Sequence, residues 1–158
     1  MSHRTAYQDA LKMLAARSHS IYELKAKLLR REWPAADVQA AVERLQDQGL
    51  LDDREFAVQW AEQRSRLKRY GPERIKLELL SKGIDRRIAE TVVDELFSGL
   101  DIRSRAAEVA RQAATRWRNM EETALRKRLL NFLLRRGYSR EESQRAIETC
   151  LTDIFSDR

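Results

Sequence analysis

The chain has 158 residues, 35% of them charged and 42% hydrophobic, with a net charge of +6. Only five Gly and two Pro occur among abundant Ala, Leu, Glu, Lys and Arg, a composition that predicts a nearly all-helical protein and excludes a disordered one. No apolar run reaches 18 residues and no apolar signal segment opens the chain, so the sequence predicts a soluble cytoplasmic protein with no membrane span.

In chain order, the predicted helices cover 4–17, 21–31 and 35–48, then 53–69, 73–82 and 86–97, then 102–118, 121–136 and 140–153. Ser20 with Glu23, Asp52 with Glu55, and Ser139 with Glu142 have the spacing of capping boxes. Gly83 and Gly137 are placed to end their helices in a left-handed turn, Gly49 ends the first group, and Gly71-Pro72 starts a helix with Pro at its first position. Asp52-Asp53 has two readings, a paired-carboxylate site or an N-cap followed by a first-turn acid on the helix dipole. Nothing nearby supplies a His or a third carboxylate at ligand spacing, which favours the cap.

The helices fall into a repeat. Residues 23–45 moved forward by 51 fall on 74–96, and these moved by 54 fall on 128–150. Leu28, Leu29 and Glu32-Trp33 then match Leu79, Leu80 and Gly83-Ile84, and Leu133, Leu134 and Gly137-Tyr138. A period near fifty residues predicts three tandem three-helix modules, at 1–51, 52–100 and 101–158, with function spread over their surface. Leu24/Leu28, Ile75/Leu79 and Leu129/Leu133 form the core stripe of the second helices, widened by Leu29, Leu80 and Leu134. Ala41-Val42, Val92-Val93 and Ala146-Ile147 do the same in the third helices. Cys150 shares the slot of Leu45 and Leu96 and reads as a small core residue; a lone thiol also fits a reducing compartment. Phe56, Trp60, Trp117 and Phe132 follow helical periodicity and read as packing residues more than as a base-stacking platform.

The opposite face carries the candidate function. The outward positions of the second helices are Glu23, Lys27, Arg30 and Arg31, then Arg74, Glu78, Ser81 and Lys82, then Arg128, Phe132, Arg135 and Arg136. They carry net charges of +2, +1 and +3, which predicts a discontinuous basic band for a polyanionic partner. Arg64, Arg66, Lys68, Arg69, Arg74 and Lys76 cluster beside it, as does the run Arg126-Lys127-Arg128. The alternative is a solvated surface whose Lys and Arg maintain solubility. Tyr70, inside the first cluster, either stacks on a base or partner or covers the turn.

No phosphate-binding Gly loop, metal-ligand spacing or nucleophile elbow is present; His3 falls in a predicted tail and His19 in a turn between helices. The residues predict no enzyme and no cofactor. A rival reading is a helix-turn-helix-like regulator acting on DNA directly. The second helices lack the Asn, Gln and Ser clusters that read base edges, which limits them to backbone contact. A third reading is a helical scaffold with one apolar groove for a protein.

Leu50-Leu51-Asp52-Asp53 with Phe56-Ala57 and Trp60, then Gly71-Pro72-Glu73-Arg74-Ile75 with Glu78-Leu79 and Lys82-Gly83-Ile84, resembles the signature of the RecX family of bacterial recombination regulators. Arg128-Leu129, Phe132-Leu133 and Arg135-Arg136-Gly137-Tyr138-Ser139 is similar to the family's C-terminal pattern, and Arg17-Ser18, Ser20, Glu23-Leu24 and Lys27-Leu28 fit its first module. Ile21-Tyr22 and Glu32-Trp33 depart from it, leaving the first of these helices without a glycine stop. The resemblance implies an elongated, curved array of three modules and a monomeric negative regulator of the RecA recombinase. Such a protein binds RecA and its DNA filament, with weak non-specific DNA binding. It restrains strand exchange, ATP hydrolysis and coprotease activity, and so modulates DNA repair and the SOS response.

Overall fold

The computed structural model describes residues 4–156, and every regular element among them is helical. His3 lies outside the described residues. The elements are α1 (Ala6–Ala16), α2 (Ile21–Arg30), α3 (Ala35–Asp47), α4 (Asp53–Lys68), α5 (Pro72–Ser81), α6 (Arg86–Phe97), α7 (Ile102–Ala114), α8 (Glu122–Arg136) and α9 (Arg140–Ser156). The helix expected over 102–118 stops at Ala114 and tightens into a 3₁₀ turn, Thr115–Trp117.

Local chemistry sets the starts. Ser20 accepts the Glu23 amide at 3.1 Å while the Glu23 carboxylate reaches back to the Ser20 amide. Ser139 and Glu142 repeat the arrangement at α9. Thr5 and Gln8 form a further box at α1, which the sequence reading missed. Asp52 is the cap of α4, accepting the Arg54 and Glu55 amides at 2.8 and 3.0 Å. Asp53 does more than sit in the first turn: its carboxylate accepts the first amide of α2, Ile21, at 2.8 Å. Burial pushes the Asp53 carboxyl up, against the pull of that amide.

The second helices end alike. Ile84 N donates to Leu79 O and Gly83 N to Leu80 O; Tyr138 N donates to Leu133 O and Gly137 N to Leu134 O. These are Schellman turns, with Gly83 and Gly137 in the left-handed region at φ 75° and 92°. The same turn closes α2, where Glu32 itself adopts φ 63°.

The chain forms two compact units, Met1–Trp60 with Glu78–Val92, and Ala61–Leu77 with Val93–Arg158. In the first, Leu24, Leu28, Val38, Val42 and Leu45 pack with Ala10, Met13 and Leu51. In the second, Leu125, Leu129, Leu133, Ile147, Cys150 and Leu151 pack against alanines of α7, including Ala106, Ala110 and Ala113. Cys150 is a core residue, as its repeat position predicts; burial pushes its thiol up. Leu29 corrects the expected stripe: it is 50% exposed, whereas Leu80 and Leu134 are half-buried.

Each unit contains one helix-to-helix joint of the same kind. In the first, the start of α2 meets the end of α5. Ser20 Oγ donates to the Lys82 carbonyl at 2.6 Å, Lys82 Nζ reaches Glu23 at 2.7 Å, and a Cβ on Gly83 would overlap Tyr22. In the second, the start of α5 meets the end of α8. Gly71 N donates to Arg136 O at 2.7 Å and Glu73 N to Gly137 O at 3.1 Å. A Cβ on Gly71 would stand 2.5 Å from the Gly137 oxygen, and one on Gly137 would overlap Arg74.

Asp9 is a buried carboxylate inside the first unit, accepting from Trp33 Nε1 at 2.9 Å and pairing with Arg31 at 3.3 Å and with Arg4. Burial alone would push its carboxyl up; the Trp33, Arg4 and Arg31 donors outweigh this and hold it below the usual aspartate value.

Two outcomes follow for stability. Gly137→Ala should cost about 3 kcal/mol, because it adds backbone strain to a clash with Arg74, and urea unfolding measures it. Asp9→Asn should cost about 2 kcal/mol at neutral pH. The folded Asp9 carboxyl ionises below its unfolded value of about 3.9, so its stabilisation is complete above that pH and is lost as pH falls through the lower folded value. The variant should therefore show a flatter acid limb in unfolding free energy against pH.

Candidate polyanion-binding surfaces

Of the candidate band residues, Lys27, Arg30, Arg31 and Lys82 belong to the first unit, and Arg64, Arg66, Lys68, Arg69, Arg74, Lys76, Arg126, Lys127, Arg128, Arg135 and Arg136 to the second.

In the first unit most of these cations face protein groups. Lys82 is held by Glu23 and lies 4.7 Å from the Trp60 ring centroid, and Arg31 pairs with Asp9. Lys27 Nζ is 2.9 Å from His19 Nε2, while His19 Nδ1 lies 2.9 Å from the Arg17 carbonyl. This geometry fits a neutral imidazole that donates from Nδ1 and accepts the lysine at Nε2. Burial, then the charges of Arg17 and Lys27, push the His19 pKa down against the opposing pull of the Arg17 carbonyl and Glu23. Burial likewise lowers Lys27, with Arg17, Arg30 and Arg31 adding to it. Arg30 is exposed at the end of α2.

The second unit concentrates charge around one ring. Tyr70 lies between Arg74, 4.3 Å from its centroid, and Arg136, at 5.6 Å. Two guanidiniums thus lie within cation–π distance of the Tyr70 ring. Arg136 is also 4.9 Å from the Phe132 ring, Phe132 packs edge-on against Trp117 at 5.7 Å, and Arg128 lies 4.6 Å from the Trp117 centroid. Arg128, Trp117, Phe132, Arg136, Tyr70 and Arg74 thus form one continuous chain of rings and guanidiniums. Phe56 and Trp60 stack at 5.8 Å in the other unit, so the aromatic residues serve packing, as their periodicity indicates.

Two of these arginines also close helix ends. Arg136 donates to the Lys68 carbonyl at the end of α4, and Arg74 donates to the Arg135 carbonyl at the end of α8 at 2.9 Å. Tyr138 adds its hydroxyl to the Arg69 carbonyl at 2.9 Å, holding Arg69 at φ 55°, a conformation costing about 1–2 kcal/mol in a non-glycine residue. Arg105 donates to Ser65 Oγ at 3.0 Å and to the Ser65 carbonyl. The sequence reading passed over Arg105, which lies outside the repeated charge pattern; its role appears only when α7 is packed against α4.

Lys68 and Arg135 are exposed at the rim of this cluster, as are Arg66, Lys127 and Arg128 on the same unit. Arg69 pairs with Glu108 at 3.4 Å, Lys76 with Glu73 at 3.7 Å and Arg126 with Glu122 at 3.5 Å. Such exposed pairs are weak and exchange readily for a polyanion. Arg64 is half-buried on the inner side. The second unit therefore offers a basic patch with Arg74 and Arg136 held in place, whereas in the first unit Lys82 and Arg31 are paired with acids, Lys27 faces His19 and Arg30 alone is exposed at the end of α2.

Among the described residues no helix is long and apolar enough to cross a membrane. Residues 6–45 match the model of the first three-helix domain of RecX, and residues 52–93 that of the second. The chain is 36% identical over 138 residues to the regulatory protein RecX of Pelodictyon phaeoclathratiforme, covering 87% of this chain and 84% of that one. It is 33% identical over 152 residues to that of Chlorobium phaeobacteroides, covering 96% and 95%. The crystal structure of RecX from Lactobacillus salivarius is similar with a TM-score of 0.77 at 24% identity, over 96% of this chain and 95% of that one. With helices, spacing and relatives in agreement over most of its length, the chain belongs to the RecX family of regulatory proteins.

Proposed function

We propose that this protein is a negative regulator of the RecA recombinase in the bacterial cytoplasm. It binds RecA and the RecA–DNA filament and restrains strand exchange, ATP hydrolysis and coprotease activity, so modulating DNA repair and the SOS response. The observation that carries this reading is the patch in which Arg74 and Arg136 are held at the Tyr70 ring, with Lys68, Arg69 and Arg135 beside them, in a RecX-family chain. A filament presents a repeating line of phosphates and acidic side chains, and fixed guanidiniums meet it without losing side-chain freedom on binding. Three repeated modules, each with a weak contact, would add their contributions through effective concentration. In this reading the second unit makes the main electrostatic contacts and Lys27, Arg30, Arg31 and Lys82 tune position.

The first test is ATP hydrolysis by RecA preassembled on single-stranded DNA, with this protein titrated in below one copy per recombinase subunit. A falling rate supports a filament-directed regulator. An unchanged rate with ordinary binding to bare DNA favours the direct DNA-binding reading. Binding should weaken steeply as salt rises, and a flat response would remove phosphate contacts from the interface. The helix-end roles separate two neighbouring arginines. Arg135→Glu should weaken filament binding about tenfold, about 1.4 kcal/mol, with thermal unfolding unchanged. Arg136→Glu should lower thermal stability as well, because it removes the cation that closes α4.

A further inference from the structure

A side-chain contact in the first unit pairs an amine with a base. Lys27 Nζ stands 2.9 Å from His19 Nε2, and the other ring nitrogen, Nδ1, stands 2.9 Å from the Arg17 carbonyl. Local structure fixes both groups. His19 lies in the link between α1 and α2, directly before the cap residue Ser20, and is only 4% exposed. The Arg17 carbonyl can only accept, so Nδ1 carries the ring proton and the lone pair of Nε2 is directed at the lysine. Lys27 is carried by α2 and is half-buried. Glu23, the acid one turn earlier in α2, is held by Arg17 at 3.3 Å and by Lys82 at 2.7 Å.

A lysine amine reacts through its lone pair, and it must shed a proton once it has bonded to an electrophile. A fixed neutral imidazole beside it is placed to take that proton. The surroundings favour the reactive form. Burial, with the charges of Arg17, Arg30 and Arg31, disfavours the Lys27 ammonium and outweighs the opposing pull of Glu23. Lys25 supplies a contrast on the same helix. Its Nζ reaches Gln39 Oε1 at 2.9 Å, an acceptor that is not a base at neutral pH.

We infer that Lys27 is a site of Nε-acylation by an acyl phosphate, with His19 as the base. The amine lone pair attacks the acyl carbon and forms the N–C bond. The bond from that carbon to the phosphate oxygen breaks, and phosphate leaves with the electron pair. His19 Nε2 takes the proton from the new amide nitrogen and returns it to water. The positive charges of Arg17, Arg30 and Arg31 that reach Lys27 favour an anionic donor over a neutral one. The product is neutral and keeps one N–H to donate to His19, so the cation is lost while the contact is retained. The inference is independent of the recombinase.

The test uses the full chain and acetyl phosphate at neutral pH. Samples taken over time are digested at acidic residues, and mass spectrometry reads acetyl occupancy at each lysine. Lys27 should be acetylated about tenfold faster than Lys25, short of the roughly hundredfold or more that a positioned base gives inside an enzyme site. In the same chain unfolded in urea the two rates should converge. His19→Gln keeps an acceptor for Lys27 and removes the base. With thermal unfolding unchanged, that variant should acetylate Lys27 no faster than Lys25. The proposal is overturned by a folded wild type in which Lys27 does not outpace Lys25, by an excess that survives in urea, or by a folded His19→Gln that keeps the fast rate. The first two comparisons need no variant, so they decide the matter even if His19→Gln does not fold.

Discussion

The structure rests on a helix end that lets another helix start on top of it. A left-handed residue turns the chain away, the carbonyls of the last turn are left facing outward, and an arriving N-terminus supplies a donor they lack, the Gly71 and Glu73 amides at the end of α8 and the Ser20 hydroxyl at the end of α5. Two opposite helix dipoles are neutralised in one step, since the positive start of one helix faces the negative end of the other. The cost is steric. At Gly71 and Gly137 the backbones approach until a methyl group on either would overlap the other chain segment. The leucine core within each unit supplies most of the stabilisation, with each buried leucine worth about 3 kcal/mol against alanine. The joint fixes which helix ends those cores bring together.

That constraint explains why charge alone is a poor guide to the binding surface. Arg74 and Arg136 belong to the repeated basic stripe, yet their guanidiniums complete helix ends and lie over Tyr70. Holding them there fixes the geometry of the patch, and Lys68 and Arg135 extend it outward. In the first unit Lys82, Arg31 and Lys27 face Glu23, Asp9 and His19, so less of their charge is left for a partner. The two units therefore differ in what they offer a polyanion.

The departures from the repeat carry information of their own. Glu32 and Trp33 break the glycine ending, and the fold answers by keeping the turn at Glu32 and directing Trp33 and Arg31 to Asp9. A buried carboxylate then holds the indole and two guanidiniums, a network that closes the unit from within.

Much of this was legible in the sequence. Helical composition, capping boxes at Ser20 and Ser139, glycine stops at Gly83 and Gly137, and the leucine stripe determined nine helices among the described residues, most within a residue or two of their observed bounds. These signals are local, so neighbouring residues suffice to read them. The family resemblance rested on the same residues. What the tertiary structure decided is long-range: that Asp53 caps α2, that Leu29 is exposed while Leu80 and Leu134 are half-buried, that Arg105 supports the end of α4, and which basic residues face solvent. A sequence gives each arginine the same charge. Only packing decides whether its five donors meet a carbonyl, a ring or water, because that depends on segments 60 or more residues away, such as Lys68 for Arg136 and Arg135 for Arg74.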